Sequence, residues 1–208
     1  MERRKAASPR TRVRRVPKRG IYDRETIHAI VDEALMCQVG FIADGHVAVV
    51  PVGCARRGDE LLLHCARTSR LAQALGSGRE ICVAITHLDG LVLARSAFHH
   101  SMNYRSVVVY GRPEPITEAA ELRTALADLA EHLAPGRWKV IRGPNAKELR
   151  ATVVFRLSLE EASAKVRTGP PADEPEDLDW PVWAGVVPLR TVRGAPIAEP
   201  NAPEVGRP

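Results

Sequence analysis

Residues 39–53 of this chain read VGFIADGHVAVVPVG and restrict which fold class it can adopt. Two runs rich in β-branched residues flank Asp44-Gly45, the dipeptide that most favours a two-residue turn, because both of its positions accept a positive φ. The stretch is therefore predicted to form an antiparallel hairpin. A second turn at residues 56–59 leads into ELLLHCA, and three consecutive antiparallel strands indicate a meander instead of a βαβ unit.

Helical patterns and further β patterns surround this meander. Asp23 is a good N-cap for a helix that ends near Met36. TSRLAQALGSG (68–78) and TEAAELRTALADLAEHLAP (117–135) have helical patterns, and residues 145–150 give another short helix. No regular crossover helices separate the remaining β-rich runs, which brings the total to about six strands. We therefore predict a mainly β fold with peripheral helices, an antiparallel β-barrel.

Composition divides the chain into three parts. Its 208 residues are 45% hydrophobic and 26% charged, which is typical of one globular domain, and we place that domain at residues 20–168. Residues 169–208 hold nine of the sixteen prolines and are predicted to form an extended tail, packed in part on the barrel or on a dimer partner. Residues 1–19 form a basic arm.

The net charge of +5 comes from that arm. Residues 1–19 contain nine lysines and arginines and one glutamate, whereas the rest of the chain is slightly acidic. A basic arm can bind nucleic acid by counterion release, and this is one alternative for its role. The arm has no aromatic residue for base stacking and no amphipathic period, so we expect a disordered leader and no nucleic-acid partner.

Membrane, export and metal signals are missing from the sequence. No window has 18 consecutive apolar residues, and the N-terminus is charged where a secretory signal is apolar, so we expect a cytoplasmic location and no membrane span. The four cysteines, Cys37, Cys54, Cys65 and Cys82, never form a C-x-x-C pair. We expect reduced thiols buried as small apolar groups, and no metal site.

Two stretches have the chemistry to bind a phosphate. Thr68, Ser69 and Arg70 lie at a predicted helix start, where unsatisfied N–H groups and the helix dipole attract anions. An ordinary capped helix with a surface arginine explains the same residues. SAFHHSMNYRS (96–106) is a polar stretch between two β runs, and its Arg105 offers a second, bidentate guanidinium. We expect the two stretches to meet on one phosphate.

Three segments together resemble a known family. HVAVVPVG (46–53), LLLHCARTSRLAQAL (61–75) and above all DGLVLARSAFHHSMNYRSVVVYGRP (89–113) are similar to the pyridoxamine 5′-phosphate oxidase-like flavin-nucleotide-binding proteins, which include the nitroimidazole-resistance reductases. The resemblance covers roughly residues 17–190. It implies a homodimeric split β-barrel that holds FMN in a cleft shared by two subunits.

The resemblance also implies roles for particular residues. Backbone groups at Val50–Val52 would meet the edge of the flavin ring, and the phosphate-binding turn and one later strand would hold the ribityl phosphate. Trp183, in WPVWAG, would cover the flavin from the partner subunit, or it is a packing anchor on the barrel. The cofactor-binding residues implied are Val50, Pro51, Val52, His64, Cys65, Thr68, Ser69, Arg70, Asn103, Tyr104, Arg105, Ser106 and Trp183.

The expected function is that of an FMN-dependent oxidoreductase. FMN would transfer a hydride to or from a small molecule, with a nicotinamide nucleotide as electron donor. No general base is identified, and the C-terminal arginine and histidine pattern of true pyridoxamine phosphate oxidases is replaced by PLRTVRG, so that substrate is not expected. The alternative is a carrier of flavin, deazaflavin or haem without turnover, since His64, His99 and His100 leave haem open.

Overall fold

The computed structural model describes residues 4–201 and 203, and within these residues ten strands form one antiparallel sheet in the order β1-β9-β6-β5-β2-β3-β4-β8-β7, with β10 added beside β5. The strands are β1 Gly20–Ile21, β2 Met36–Ala43, β3 His46–Arg57, β4 Glu60–Ala66, β5 Ile81–Leu93, β6 Ser101–Gly111, β7 Glu114–Pro115, β8 Thr152–Ser158, β9 Ala162–Arg167 and β10 Gly185–Pro188. The helices are α1 Arg24–Glu33, α2 Arg70–Gly76, α3 Ala119–Leu133 and α4 Ala146–Ala151. The mainly β, split-barrel prediction is confirmed.

Local signals in the sequence placed several of these elements. Asp44 and Gly45 have φ values of 53° and 78°, so the β2–β3 hairpin has the predicted two-residue turn. The Asp23 carboxylate accepts a hydrogen bond from Thr26 N at 2.8 Å, which caps α1 as expected. The helix ends at Glu33, earlier than predicted, because the following residues enter β2.

Strand β3 changes its partner halfway along, and this divides the sheet. Residues 46–53 pair with β2, from His46 opposite Ala43 to Gly53 opposite Met36. From Cys54, which lies opposite Leu63, the strand pairs with β4 instead. The barrel is therefore split along the line where β3 leaves one neighbour and joins the other.

Aliphatic side chains fill the interior, as the low aromatic content requires. Val39, Leu61, Val83 and Val107 are fully buried there, and α1 closes the barrel with apolar side chains such as Ile30. A second, smaller cluster lies on the opposite face of β4 and β8, under α3: Leu62, Ile116, Leu122, Ala125 and Val154. Cys37 and Cys54 are buried in the main core, and Cys65 and Cys82 are half-buried. The sheet thus packs on both faces near β4.

The described part of the basic arm lies against the sheet. Ser8 Oγ donates to Glu161 at 2.6 Å, Arg10 forms ion pairs with Glu80 and Glu161, and Thr11 is 1% exposed. The sequence had predicted disorder for this segment. The difference arises because acidic residues that are far apart in sequence come together beside the arm and neutralise part of its charge, which charge counting cannot foresee.

The C-terminal tail is attached along β5. Its strand β10 pairs with Leu93–Gly90, and a Cβ at Gly90 would lie 3.0 Å from the Val187 carbonyl oxygen. Asp173, whose side chain is 2% exposed, accepts from Arg95 N and from the Arg95 guanidinium, both at 2.9 Å. No helix among the described residues is long and apolar enough to span a bilayer.

Arg105 ties α1 to the sheet. Its guanidinium binds the carboxylate of Glu33, at the end of α1, and that of Asp89, on β5 at 2.8 and 3.0 Å. The Arg105 cation lowers the pKa of Glu33. His87, opposite Arg105, bonds through Nε2 to the Ile30 carbonyl oxygen at 2.9 Å. Arg105 thus uses four of its five N–H groups in an ion triad with Glu33 and Asp89 on the α1 side of the sheet.

The Arg105→Gln variant is expected to lose about 1–2 kcal/mol of unfolding free energy at pH 7, because two carboxylates lose their cation. The lowered pKa of Glu33 means that this stabilisation is present at neutral pH and disappears as the pH falls through the folded-state pKa of Glu33. Urea unfolding at pH 7 and near pH 3 measures the difference. Arg142→Gln, in an exposed pair with Glu148, is the control and should cost less than Arg105→Gln. Equal losses in both variants would contradict the assignment.

Candidate functional site

The split leaves one edge of β3 without a strand partner within the described residues. Along residues 46–53 the strand pairs with β2 alone, so its second edge faces the gap. Val50, Pro51 and Val52 lie in this segment, and Pro51, which has no N–H, suits an edge position. The side chains of Val50 and Val52 face the core, and Pro51 faces outward. Backbone groups are therefore what this edge can present to a ligand.

The end of β4 borders the same gap. His64 follows Leu63, the residue that pairs with Cys54, and its exposed ring has no hydrogen bond among residues 4–201 and 203. Burial raises the pKa of the Cys65 thiol, with a smaller opposite effect from the Ser69 hydroxyl. The structure thus brings His64 and Cys65 to the place where β3 leaves β4.

The predicted phosphate-binding turn follows directly. Ser69 caps α2, accepting from Ala72 N at 3.0 Å, while the exposed Thr68 and Arg70 have no side-chain partner in the described part of the chain. Arg67 fixes the turn by donating to the carbonyl oxygens of Arg150 and Thr152, each at 2.9 Å. One hydroxyl and one cation of the turn therefore remain available.

A different set of polar residues lies on the outward face of β6 and β9. Residues alternate between the two faces of a strand, so Tyr104 and Ser106 point away from the side on which Arg105 meets α1. Tyr104 lies opposite Arg167 and Ser106 opposite Lys165, and Ser106 Oγ donates to the Lys165 carbonyl oxygen at 3.2 Å. Tyr104 and Ser106 thus share this face with two cations that the sequence did not indicate, Arg167 and Lys165. Asn103, which lies two residues from Arg105 and on the other face, is joined to Arg167 by a hydrogen bond.

Arg167 is the least ordinary of these residues. It is 8% exposed. Its guanidinium donates to Asn103 Oδ1 and, at 3.3 Å, to the carbonyl oxygens of Gly169 and Pro170. Its Nε has no partner among the described residues. Burial lowers its pKa, and the nearby Arg19 lowers it further. The described residues place no carboxylate on it. A buried cation without a counter-ion is costly, so the position favours an anion.

In the described residues Arg105 bonds to Glu33 and Asp89, and its expected convergence with the turn on one phosphate stays a prediction. Strands β5, β2 and β3 separate β6 from β4, and Arg105 points to α1. The physical reason is the two-residue period of the strand, which sends Arg105 to the face opposite that of its neighbours. Trp183 lies beyond the end of β10, with its ring against Gly185, and is 63% exposed.

An apolar surface lies between the two polar groups. Ile42 pairs with Val47 and Gly40 with Val49 on the outward face of β2 and β3, and these side chains are 53% (Ile42), 81% (Val47) and 63% (Val49) exposed. We call Ile42, Val47 and Val49 the outer apolar face. An apolar surface beside unpaired backbone groups is the kind of surface that can bind a planar ring, and the nearby cations can bind an anion.

Comparisons with known proteins agree with this geometry. Over 99% of its length the chain is similar to the flavocytochrome Anf3 from Azotobacter vinelandii, with 42% identity, 96% of that chain covered and a TM-score of 0.93. The FAD and heme binding protein from Mycobacterium smegmatis is 36% identical over 90% of this chain and 92% of its own, with a TM-score of 0.85. A putative 5-nitroimidazole antibiotic resistance protein from Bacteroides thetaiotaomicron shares the fold at 24% identity, covering 71% of this chain and 86% of its own, with a TM-score of 0.59. A comparison with curated protein sequences gave no match.

The family model described as pyridoxamine 5′-phosphate oxidase matches residues 23–166, which contain α1 and every strand from β2 to β8 together with most of β9. The match includes both the split and the outward face of β6. The chain therefore belongs to the pyridoxamine 5′-phosphate oxidase family, as the sequence resemblance predicted.

Proposed function

We propose that this protein binds a flavin nucleotide and uses it for two-electron transfer to or from a small molecule. The observation that carries the proposal is the split at Gly53, where the free edge of β3 and the end of β4 border the outer apolar face. Backbone N–H and C=O groups can bind the polar edge of an isoalloxazine ring, and apolar side chains can cover its faces. FMN, the cofactor expected from the sequence, and FAD share this ring and the first phosphate.

When bound, the flavin supplies hydride transfer. The residues of the chain bind and orient it: Val50 and Val52 offer backbone groups, and Thr68 and Arg70 offer a hydroxyl and a cation to the first phosphate. The apolar face excludes water from one side of the ring. We place this activity in the cytoplasm, with a nicotinamide nucleotide as the electron donor.

Purified protein is expected to take up FMN or FAD and to show the visible absorption of a bound flavin. Arg70→Met should weaken FMN binding about tenfold and leave riboflavin binding unchanged, because only FMN has the phosphate. Fluorescence titration measures both. Arg79→Met, at an exposed arginine beyond the end of α2, is the control and should change neither. A colourless protein that binds no flavin would sink the proposal.

The same face is proposed as the contact between two copies of the chain. Exposed apolar surface of this kind is unusual on a monomer and is typical of interfaces. An isologous dimer buries the outer apolar face of each copy against the other. In such a dimer the exposed Trp183 of one copy is available to cover the flavin of the other.

The wild-type protein is expected to sediment as a dimer in analytical ultracentrifugation. Val49→Glu should shift it towards the monomer, because a charge would be buried at the contact. Val140→Glu, at a 53% exposed valine outside this face, is the matched control and should leave the dimer intact. A monomeric wild type, or equal behaviour of the two variants, would rule out this interface.

A haem is a second candidate ligand, and one observation favours it. Of the seven histidines, five bond through a ring nitrogen to other residues: His28, His87, His99, His100 and His132. His46 and His64 have no such bond among the described residues, and both are exposed. Neutral imidazole is a common haem ligand, and two relatives are named as a flavocytochrome and as an FAD and heme binding protein.

Added ferric haem is therefore expected to give a Soret band shifted to that of a histidine complex. His64→Ala should abolish the shift, and free imidazole should restore it. His28→Ala serves as the control, since His28 is held by Asp59 at 3.1 Å. An unchanged spectrum in His64→Ala would exclude His64, and the same measurement on His46→Ala would then test the other free ring.

A further inference from the structure

We propose that Arg167, Lys165 and Arg19, which we call the Arg167 cluster, form a second anion site that binds the diphosphate of a dinucleotide. The inference extends the proposed flavin function, on which it rests only for the identity of one candidate ligand. It concerns β9 and the arm, whereas the phosphate-binding turn at Thr68–Arg70 follows β4.

The first step is the missing counter-ion. Most arginines that the structure holds in place have a carboxylate partner, such as Arg10, Arg56 and Arg105. Arg167 is more deeply buried than these and is held only by neutral oxygens. The energetic cost of this arrangement falls when an anion binds in front of it.

The second step is the number of cations. Lys165 and Arg167 are two residues apart on one strand, so their side chains leave the same face about 6.6 Å apart. Gly20 pairs with Lys165, which places Arg19 beside them, and both Lys165 and Arg19 are half-buried without an ion pair in the described ranges. Three positive charges with no acidic partner match a group with more than one negative charge, such as a diphosphate.

The third step is the separation from the other phosphate site. The turn at Thr68–Arg70 follows β4, which is five strands from β9 in the order of the sheet. No hydrogen bond or ion pair of the described residues joins the Arg167 cluster to that turn, and we treat the two as separate anion sites. FAD and nicotinamide nucleotides both carry a diphosphate, whereas FMN does not. Comparing the binding of these ligands therefore shows which nucleotide supplies the diphosphate.

The experiment titrates the full chain with FMN, FAD, ADP and NADP⁺ by calorimetry and flavin fluorescence. Lys165→Met and Arg19→Met are each expected to weaken ADP binding about tenfold and to reduce its salt dependence, with FMN binding unchanged. Arg167→Met should have the larger effect. Because that variant also loses bonds to Asn103 and Gly169, its folding is checked by thermal melting. If it does not fold, Lys165→Met and Arg19→Met still test the proposal. Arg15→Met, an exposed arginine of the same arm, is the matched control.

The outcomes separate this inference from the proposed function. If FAD binding and ADP binding both weaken in the cluster variants, the adenylate half of the flavin occupies the site. If NADP⁺ binding weakens and FAD binding does not, the electron donor occupies it. ADP affinity that is the same in wild type, cluster variants and control would overturn the inference even if FMN still binds. Failure to bind any flavin, together with cluster-dependent ADP binding, would overturn the proposed function and leave the second anion site standing.

Discussion

The change of partner by β3 between Gly53 and Cys54 is the constraint on which the rest of this structure depends. Strand β3 pairs with β2 over residues 46–53 and with β4 over residues 54–57, so it joins two parts of one sheet. The two parts separate where the strand changes its partner. The unpaired edge does not disturb the core, because the side chains of Val50 and Val52 still face the interior. The geometry therefore provides free backbone groups at the surface of an otherwise well-packed barrel.

Charge is distributed over this frame in two different ways. Several cations that hold elements together are met by acids: Glu161 binds the arm through Ser8 and Arg10, and Glu33 and Asp89 share Arg105. Around Arg167 the described residues place no acid, and the guanidinium bonds to neutral oxygens. The first arrangement is complete in the isolated chain, whereas the anion that we propose would complete the second. Burial separates Arg167 from Arg67, which also bonds only to carbonyl oxygens but is exposed.

Local chemistry made the fold predictable. The Asp44-Gly45 turn and the caps at Asp23 and Ser69 all act through neighbours within three residues, and the structure has each of them where the sequence indicated. The arm and the site depended on longer connections. Glu80 and Glu161 are far from Arg10 in sequence, and Arg167 donates a hydrogen bond to Asn103, which is 64 residues away. Arg105 is a different case, because the two-residue period of YRSVVV already separates it from Tyr104 and Ser106, and a stricter use of that period would have assigned it to the α1 side.

The topology also explains why we propose two sites in one chain instead of one. The split and the Arg167 cluster lie on either side of β2 and β5, and the outward face of β2 and β3 is apolar where it borders the split. A ligand bound on that face has its other side exposed to water. In the dimer that we propose, the second copy of the chain covers that side. Each chain then supplies a backbone edge, an apolar floor and a group of uncompensated cations. In a dimer, the distance between the turn of one chain and the cations of the other is not set by the five steps of sheet order that separate β4 from β9 within one chain. The separation of the two anion sites in one chain is thus compatible with a single extended nucleotide held by two.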